Sequence, residues 1–82
     1  MKLHNDKELR LFETAVRKCK NAVIVQTANG KTFNLKTKFG FVEGIAELLK
    51  PCKKWEEAEV YTRGAGDDAI MYNFLQMCPA NA

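Results

Sequence analysis

NGKTFNLKTKFG, residues Asn29 to Gly40, places a turn, an alternating strand and a helix start in one short run. Asn29-Gly30 suits the two positive-φ positions of a type I′ hairpin turn. Thr32 to Lys36 alternates polar and apolar residues, as a half-buried strand does. Thr37 stands directly before Phe39, Phe41, Val42 and Ile45, so its hydroxyl is placed to accept from amides of that helix's first turn. Upstream, Ala22 to Thr27 (AVIVQT) is rich in β-branched residues and makes the partner strand. A two-residue loop sets Gln26 opposite Phe33 and Ile24 opposite Leu35. That register buries Ile24, Phe33 and Leu35 and turns Val23 and Val25 to the other face with Asn34 and Lys36. A slip of one residue would expose Phe33 and Leu35.

Outward from this hairpin the chain reads as helix, strand, strand, helix, strand, helix. The first helix starts at Asn5 or Asp6, with Asn5 and Glu8 spaced as a capping box. Leu9, Phe12, Val16 and Cys19 form its apolar stripe, and it ends near Lys20-Asn21. The second helix runs from Lys38 to Leu49, with Phe41, Ile45 and Leu48 as its stripe and Phe39 and Val42 beside it. Pro51 stops it. Lys50 to Glu56 reads as a basic loop around Trp55. Glu57 to Thr62 is the third strand, with Val60 inward and Glu59 and Tyr61 outward. Gly64 and Gly66 mark a turn, Asp67 is placed to cap the last helix, and Ile70, Met71, Phe74, Leu75 and Met77 give that helix its apolar side. Residues 79–82 read as a flexible tail. The expected architecture is α+β: an open-faced sandwich whose antiparallel sheet is covered on one face by three helices.

Size and composition bound the function. The 82 residues make one domain, 46% hydrophobic and 28% charged, in the range of ordinary globular chains. No run approaches the roughly 20 apolar residues that span a bilayer, and MKLHNDKEL has no secretory pattern, so the expected location is the cytoplasm without membrane contact. Cys19, Cys52 and Cys78 form no Cys-x-x-Cys and no even framework; Cys19 and Cys78 sit on apolar helical positions as small hydrophobes. One histidine with no cysteine pair predicts no metal site, and no cofactor motif is present. Charge is uneven: residues 1–54 hold 12 Lys+Arg against 5 Asp+Glu, and residues 55–82 hold one Arg against five acids. The basic first half would attract a partner with an acidic surface, or is a solvated surface with chance clustering.

The hairpin, then Asn34-Leu35-Lys36-Thr37, then the short helix containing Gly40, resembles the histidine-containing phosphocarrier (HPr) family of the bacterial sugar phosphotransferase system. That family has a similar hairpin followed by Asn-Leu-Lys-Ser and a glycine-containing helix. Phe12, Val16 and Cys19 match buried positions of its first helix, and VYTRGAGDDAIMYNFL resembles its last strand, turn and closing helix. Lys50 to Glu57 then looks like an insertion. Three features depart from the family. Its phosphoryl-accepting histidine lies in Leu-His-Ala-Arg-Pro-Ala, whereas here Leu3-His4 is followed by Asn5-Asp6-Lys7, so the arginine and proline are missing and Asp6 would repel a dianion. The family's first strand is missing, which leaves the strand Glu57 to Thr62 with an open edge and predicts a homodimer through it. Thr37 stands where one branch of the family carries a regulatory serine, which makes it a phosphorylation candidate as well as a helix cap.

The resemblance implies that protein partners dock on Phe39 and Val42, rimmed by Lys38 and Arg10; the competing reading of Phe39 is core cover on a rotated helix. The expected function is an HPr-like, non-enzymatic regulatory or protein-interaction module that has lost histidine phosphocarrier activity. One alternative is a phosphocarrier of a sugar phosphotransferase system using His4, the single weak catalytic candidate. Another is a weak nucleic-acid-binding domain using Trp55 among Lys50, Lys53 and Lys54, although no recognised binding motif is present.

Overall fold

A computed structural model describes residues 1–78, so the expectation for the tail at 79–82 lies outside the described residues. The elements are α1 (Asp6–Lys18), β1 (Ile24–Gln26), β2 (Thr32–Asn34), α2 (Lys38–Leu49), a 3-10 turn (Lys54–Glu56), β3 (Glu59–Tyr61) and α3 (Ala65–Met77). The fold is α+β, with three helices and a three-stranded antiparallel open sheet. Its strand order is β2-β1-β3, so the first strand in sequence is the central one.

The hairpin loop has three residues, not two. The amide of Thr27 donates to the carbonyl of Lys31 at 2.8 Å, and that of Gly30 to the carbonyl of Thr27 at 3.0 Å. Within the loop only Gly30 takes a positive φ, at 90°, so Asn29 does not supply the second such residue. Asn-Gly serves this wider loop as well as a type I′ turn, because both need a glycine at the last position. The extra residue shifts β1 by one: Val25 faces Phe33 and Ile24 faces Asn34. The amide of Leu35 donates to the carbonyl of Val23 at 2.8 Å, which continues the same register.

This shift corrects the expected faces of β1. Val23 and Val25 are fully buried, and Ile24 turns outward beside Asn34 and Tyr61. Phe33, Leu35 and Val60 keep the expected inward face, because Val25 lies opposite both Phe33 and Val60. Two valines thus join the core where one isoleucine was expected. AVIV offers apolar residues to both faces, so loop length alone decides between them.

Helix α2 lies flat on the inner face. A Cβ on Gly44 would press on Leu35 Cδ2 and stand 3.4 Å from Val25 Cγ2, so glycine lets the helix approach the sheet without displacing the Leu35 side chain. Helices α1 and α3 pack together through Phe12 and Phe74, both fully buried, whose rings meet edge to face at 5.3 Å. Cys19 and Cys78 are buried free thiols in the same core, as their spacing predicts. Burial, and for Cys19 the nearby Asp67 carboxylate, raises the pKa of both. Leu3 is also buried, its amide donating to the carbonyl of Leu48 at the end of α2 at 2.9 Å.

The start of α3 differs from the expected cap. The helix begins at Ala65 with Gly64, at φ 91°, as its cap residue and no side-chain cap. Asp67 lies inside the first turn and is only 4% exposed. Its two oxygens accept the amides of Lys20 and Asn21 at 2.9 and 2.8 Å. The carboxylate therefore satisfies the chain as it leaves α1, instead of closing its own helix. Those two amides hold its pKa below the ordinary value against the effect of burial, and the Lys36 and Lys20 charges add to this.

Candidate functional site

The start of α2 is built by a short polar circuit. Asn34 Oδ1 accepts the Lys36 amide at 3.0 Å, and its backbone carbonyl accepts both the amide and the hydroxyl of Thr37, at 3.1 and 2.8 Å. Thr37 Oγ1 then accepts the Gly40 amide at 3.1 Å. The expected cap is present. The same turn ends β2 at Asn34, two residues before the expected limit.

Helix α2 has two apolar faces. Gly44, Ile45 and Leu48 are buried, with Phe41 half-buried beside them. Phe39, Val42, Ala46 and Leu49 follow at spacings of three, four and three, which puts them on one stripe. All four are exposed, Phe39 by 80% and Val42 by 64%. The reading of Phe39 as core cover is thereby set aside. Ala46 and Leu49 extend the stripe to the far end of the helix. Their spacing was visible in the sequence, but the stripe at Phe41, Ile45 and Leu48 accounted for the helix alone.

Beside the start of α2 runs a groove of about 390 Å³. Val16, Leu35 and Phe41 line it, with Glu13 and Arg17 on the α1 side and Lys38 and Val42 on the α2 side. Arg17 stands where Arg10 was expected. It is joined to Glu13 at 3.6 Å, and Arg10 lies outside the groove lining, two turns earlier on the same row of α1. Lys36 Nζ donates to the Val16 carbonyl at 2.8 Å, a cation placed at the negative end of α1. Lys38 forms no ion pair among the described residues. The structure thus brings Thr37, Lys38 and Val42 together, with Phe39 on the adjoining outer stripe.

His4 is elsewhere. It follows Leu3 at the C-terminal end of α2, whereas Thr37 sits at its N-terminal end, about 18 Å away along twelve residues. His4 Nδ1 lies 2.8 Å from Glu8 Oε1, which also accepts the His4 amide at 2.8 Å. Burial alone would raise the pKa of Glu8, but the His4 amide and ring outweigh it and lower it. Asn5 caps α1 through the Glu8 amide at 2.9 Å. Asp6 and Glu8 both lie in the first turn, and Glu8 sets its carboxylate against the imidazole. No group of three or more His, Cys, Asp or Glu residues fit to hold a metal occurs among the described residues, and no described helix is long and apolar enough to cross a membrane. Strand β3 is an edge strand, and the amino-terminal amine of Met1 donates to the Ala58 carbonyl beside it at 2.7 Å.

Comparison with known proteins finds no match to this chain among family models, curated proteins or solved structures.

Proposed function

We propose that the chain is a non-catalytic, HPr-like protein-interaction module that receives a partner on the outer face of α2. The observation that carries this reading is the second apolar stripe, Phe39, Val42, Ala46 and Leu49, on a helix whose opposite face is already buried. A helix apolar on two sides loses the solvation its outer face would otherwise have, and buries both sides only when something covers the second. Phe39 is the anchor, a large aromatic projecting from the first turn, and Lys38 and Arg17 favour an acidic rim on the partner. The HPr-like part of the proposal rests on the Asn34-to-Gly40 circuit and the element order.

His4 carries no phosphoryl group in this reading. Glu8 holds its Nδ1, and the acidic first turn of α1 repels a dianion. Incubation with phosphoenolpyruvate and the first enzyme of a phosphotransferase system is expected to leave no acid-labile phosphate on His4; transfer to His4 would establish a working phosphocarrier instead. The interaction reading is tested by affinity capture from native lysate with the wild type and Phe39→Glu in parallel. At least one protein retained by the wild type should be lost from the variant, while Lys54→Glu retains it. Identical capture by wild type and Phe39→Glu would end the proposal. The substitution sits in water and should change stability by no more than about 0.5 kcal/mol, so lost capture would not reflect unfolding.

A further inference from the structure

Away from the outer face of α2, the hairpin loop and the segment after α2 face each other across a second cleft, of about 470 Å³. Lys31 reaches it from the hairpin, and Lys50 and Lys53 from the opposite wall. Lys54 follows on the 3-10 turn. Glu47 and Glu56 also border the cleft, and Glu56 Oε1 accepts the Lys53 amide at 3.4 Å. Three lysines thus line the cleft against two carboxylates, and none of the three is in an ion pair among the described residues. Trp55 stands between Lys54 and Glu56, just outside the cleft lining, and is 76% exposed. The Lys53 ammonium lies 5.2 Å from the centre of its ring.

One ammonium beside an exposed indole, with two more lysines in the adjoining cleft, suits one ligand chemistry above others. Phosphates spaced along a flexible strand can meet several lysines at once, and an unpaired base can stack on the indole. A duplex hides its base faces, and an acidic peptide has no π-face for the ring. We propose that this cleft binds single-stranded nucleic acid, with backbone phosphates on Lys31, Lys50 and Lys53 and a base stacked on Trp55. The site shares no residue with the outer stripe of α2, so the two proposals stand or fall separately.

The test is fluorescence anisotropy with labelled oligo-dT and oligo-U of about ten nucleotides, run on the full chain. Binding is expected with a Kd of about 10–100 µM near 50 mM salt, and log Kobs should fall against log salt with a slope of about −2, from three phosphate contacts. Preference for oligo-U or for oligo-dT decides between RNA and DNA, and either supports the site. The triple variant Lys31→Gln, Lys50→Gln, Lys53→Gln should weaken binding at least about tenfold and flatten the salt slope. Trp55→Ala should weaken it about tenfold with the slope unchanged. Phe39→Glu should bind as the wild type does. All five positions lie at the surface, and unchanged far-UV circular dichroism verifies folding. The proposal is overturned by absent binding at millimolar oligonucleotide, by equal affinity for duplex DNA or poly-aspartate, or by a lysine variant that keeps the wild-type slope.

Discussion

Helices α2 and α3 begin in opposite ways. The start of α2 is assembled from its own neighbours: Asn34, Thr37 and Gly40 exchange hydrogen bonds within seven residues, with no acidic side chain in the first turn. The start of α3 has no side-chain cap and two aspartates in the first turn. One of them, Asp67, reaches amides 46 and 47 positions back in the chain. Local capping leaves the first turn of α2 facing solvent with its residues free to meet a partner. Long-range tethering spends the first turn of α3 on holding two helices together. The difference explains why the exposed Phe39 is found at one helix start and a buried carboxylate at the other.

Substitutions at the two starts should separate these roles. The largest effect is expected from Gly40→Ala, because its Cβ would stand 2.1 Å from the backbone oxygen of Asn34. No side-chain rotation relieves that contact, and a loss of about 3 kcal/mol in a urea titration is expected; a wild-type midpoint would show that the circuit at α2 yields. Asp67→Asn comes next. The amide can accept from only one of the two backbone donors and sets its own N–H₂ against the other. The pKa of Asp67 is depressed in the fold, so its stabilising effect is complete above the unfolded value of about 3.9 and is lost as pH falls through the lower folded value. Thermal melts of Asp67→Asn should therefore run below the wild type at neutral pH and converge on it in acid. Parallel curves over the whole range would mean that the carboxylate charge is not what ties α1 to α3. Thr37→Ala should cost about 1 kcal/mol in the same titration, and Thr37→Ser nearly nothing. Smallest is Asp68→Asn, which removes an exposed charge favourable to the α3 dipole at about 0.5 kcal/mol, an effect that should fade with added salt.

The parts of the fold governed by near neighbours were legible in the chain itself. Thr37 as a cap, the element order, and Phe33, Leu35 and Val60 as inward residues follow from a turn signal, a period of two and a hydroxyl before an apolar run. The inward valines of β1 were not legible, because Asn29-Gly30 is compatible with two loop lengths and AVIV with both faces. Asp67 was hidden for a different reason. An aspartate early in a helix has the same local pattern whether it caps its own amides or takes those of a distant segment. At the candidate site, Phe39, Val42 and Lys38 were visible from the helix start, and the extension to Ala46 and Leu49 was obscured by the competing stripe. Arg17 and not Arg10 borders the groove because Glu13, Val16 and Arg17, near the C-terminal end of α1, face the start of α2 across it, a relation that helical spacing does not encode.

Trp55 is the chain's single tryptophan, and it lies outside the core. Apart from the Lys53 ammonium beside it, its indole faces water in the native protein, much as it would in a denatured chain. Equilibrium denaturation followed by indole emission would consequently give an almost flat trace while Phe12 and Phe74 come apart unseen. Loss of helical ellipticity is the signal that would report when this molecule unfolds.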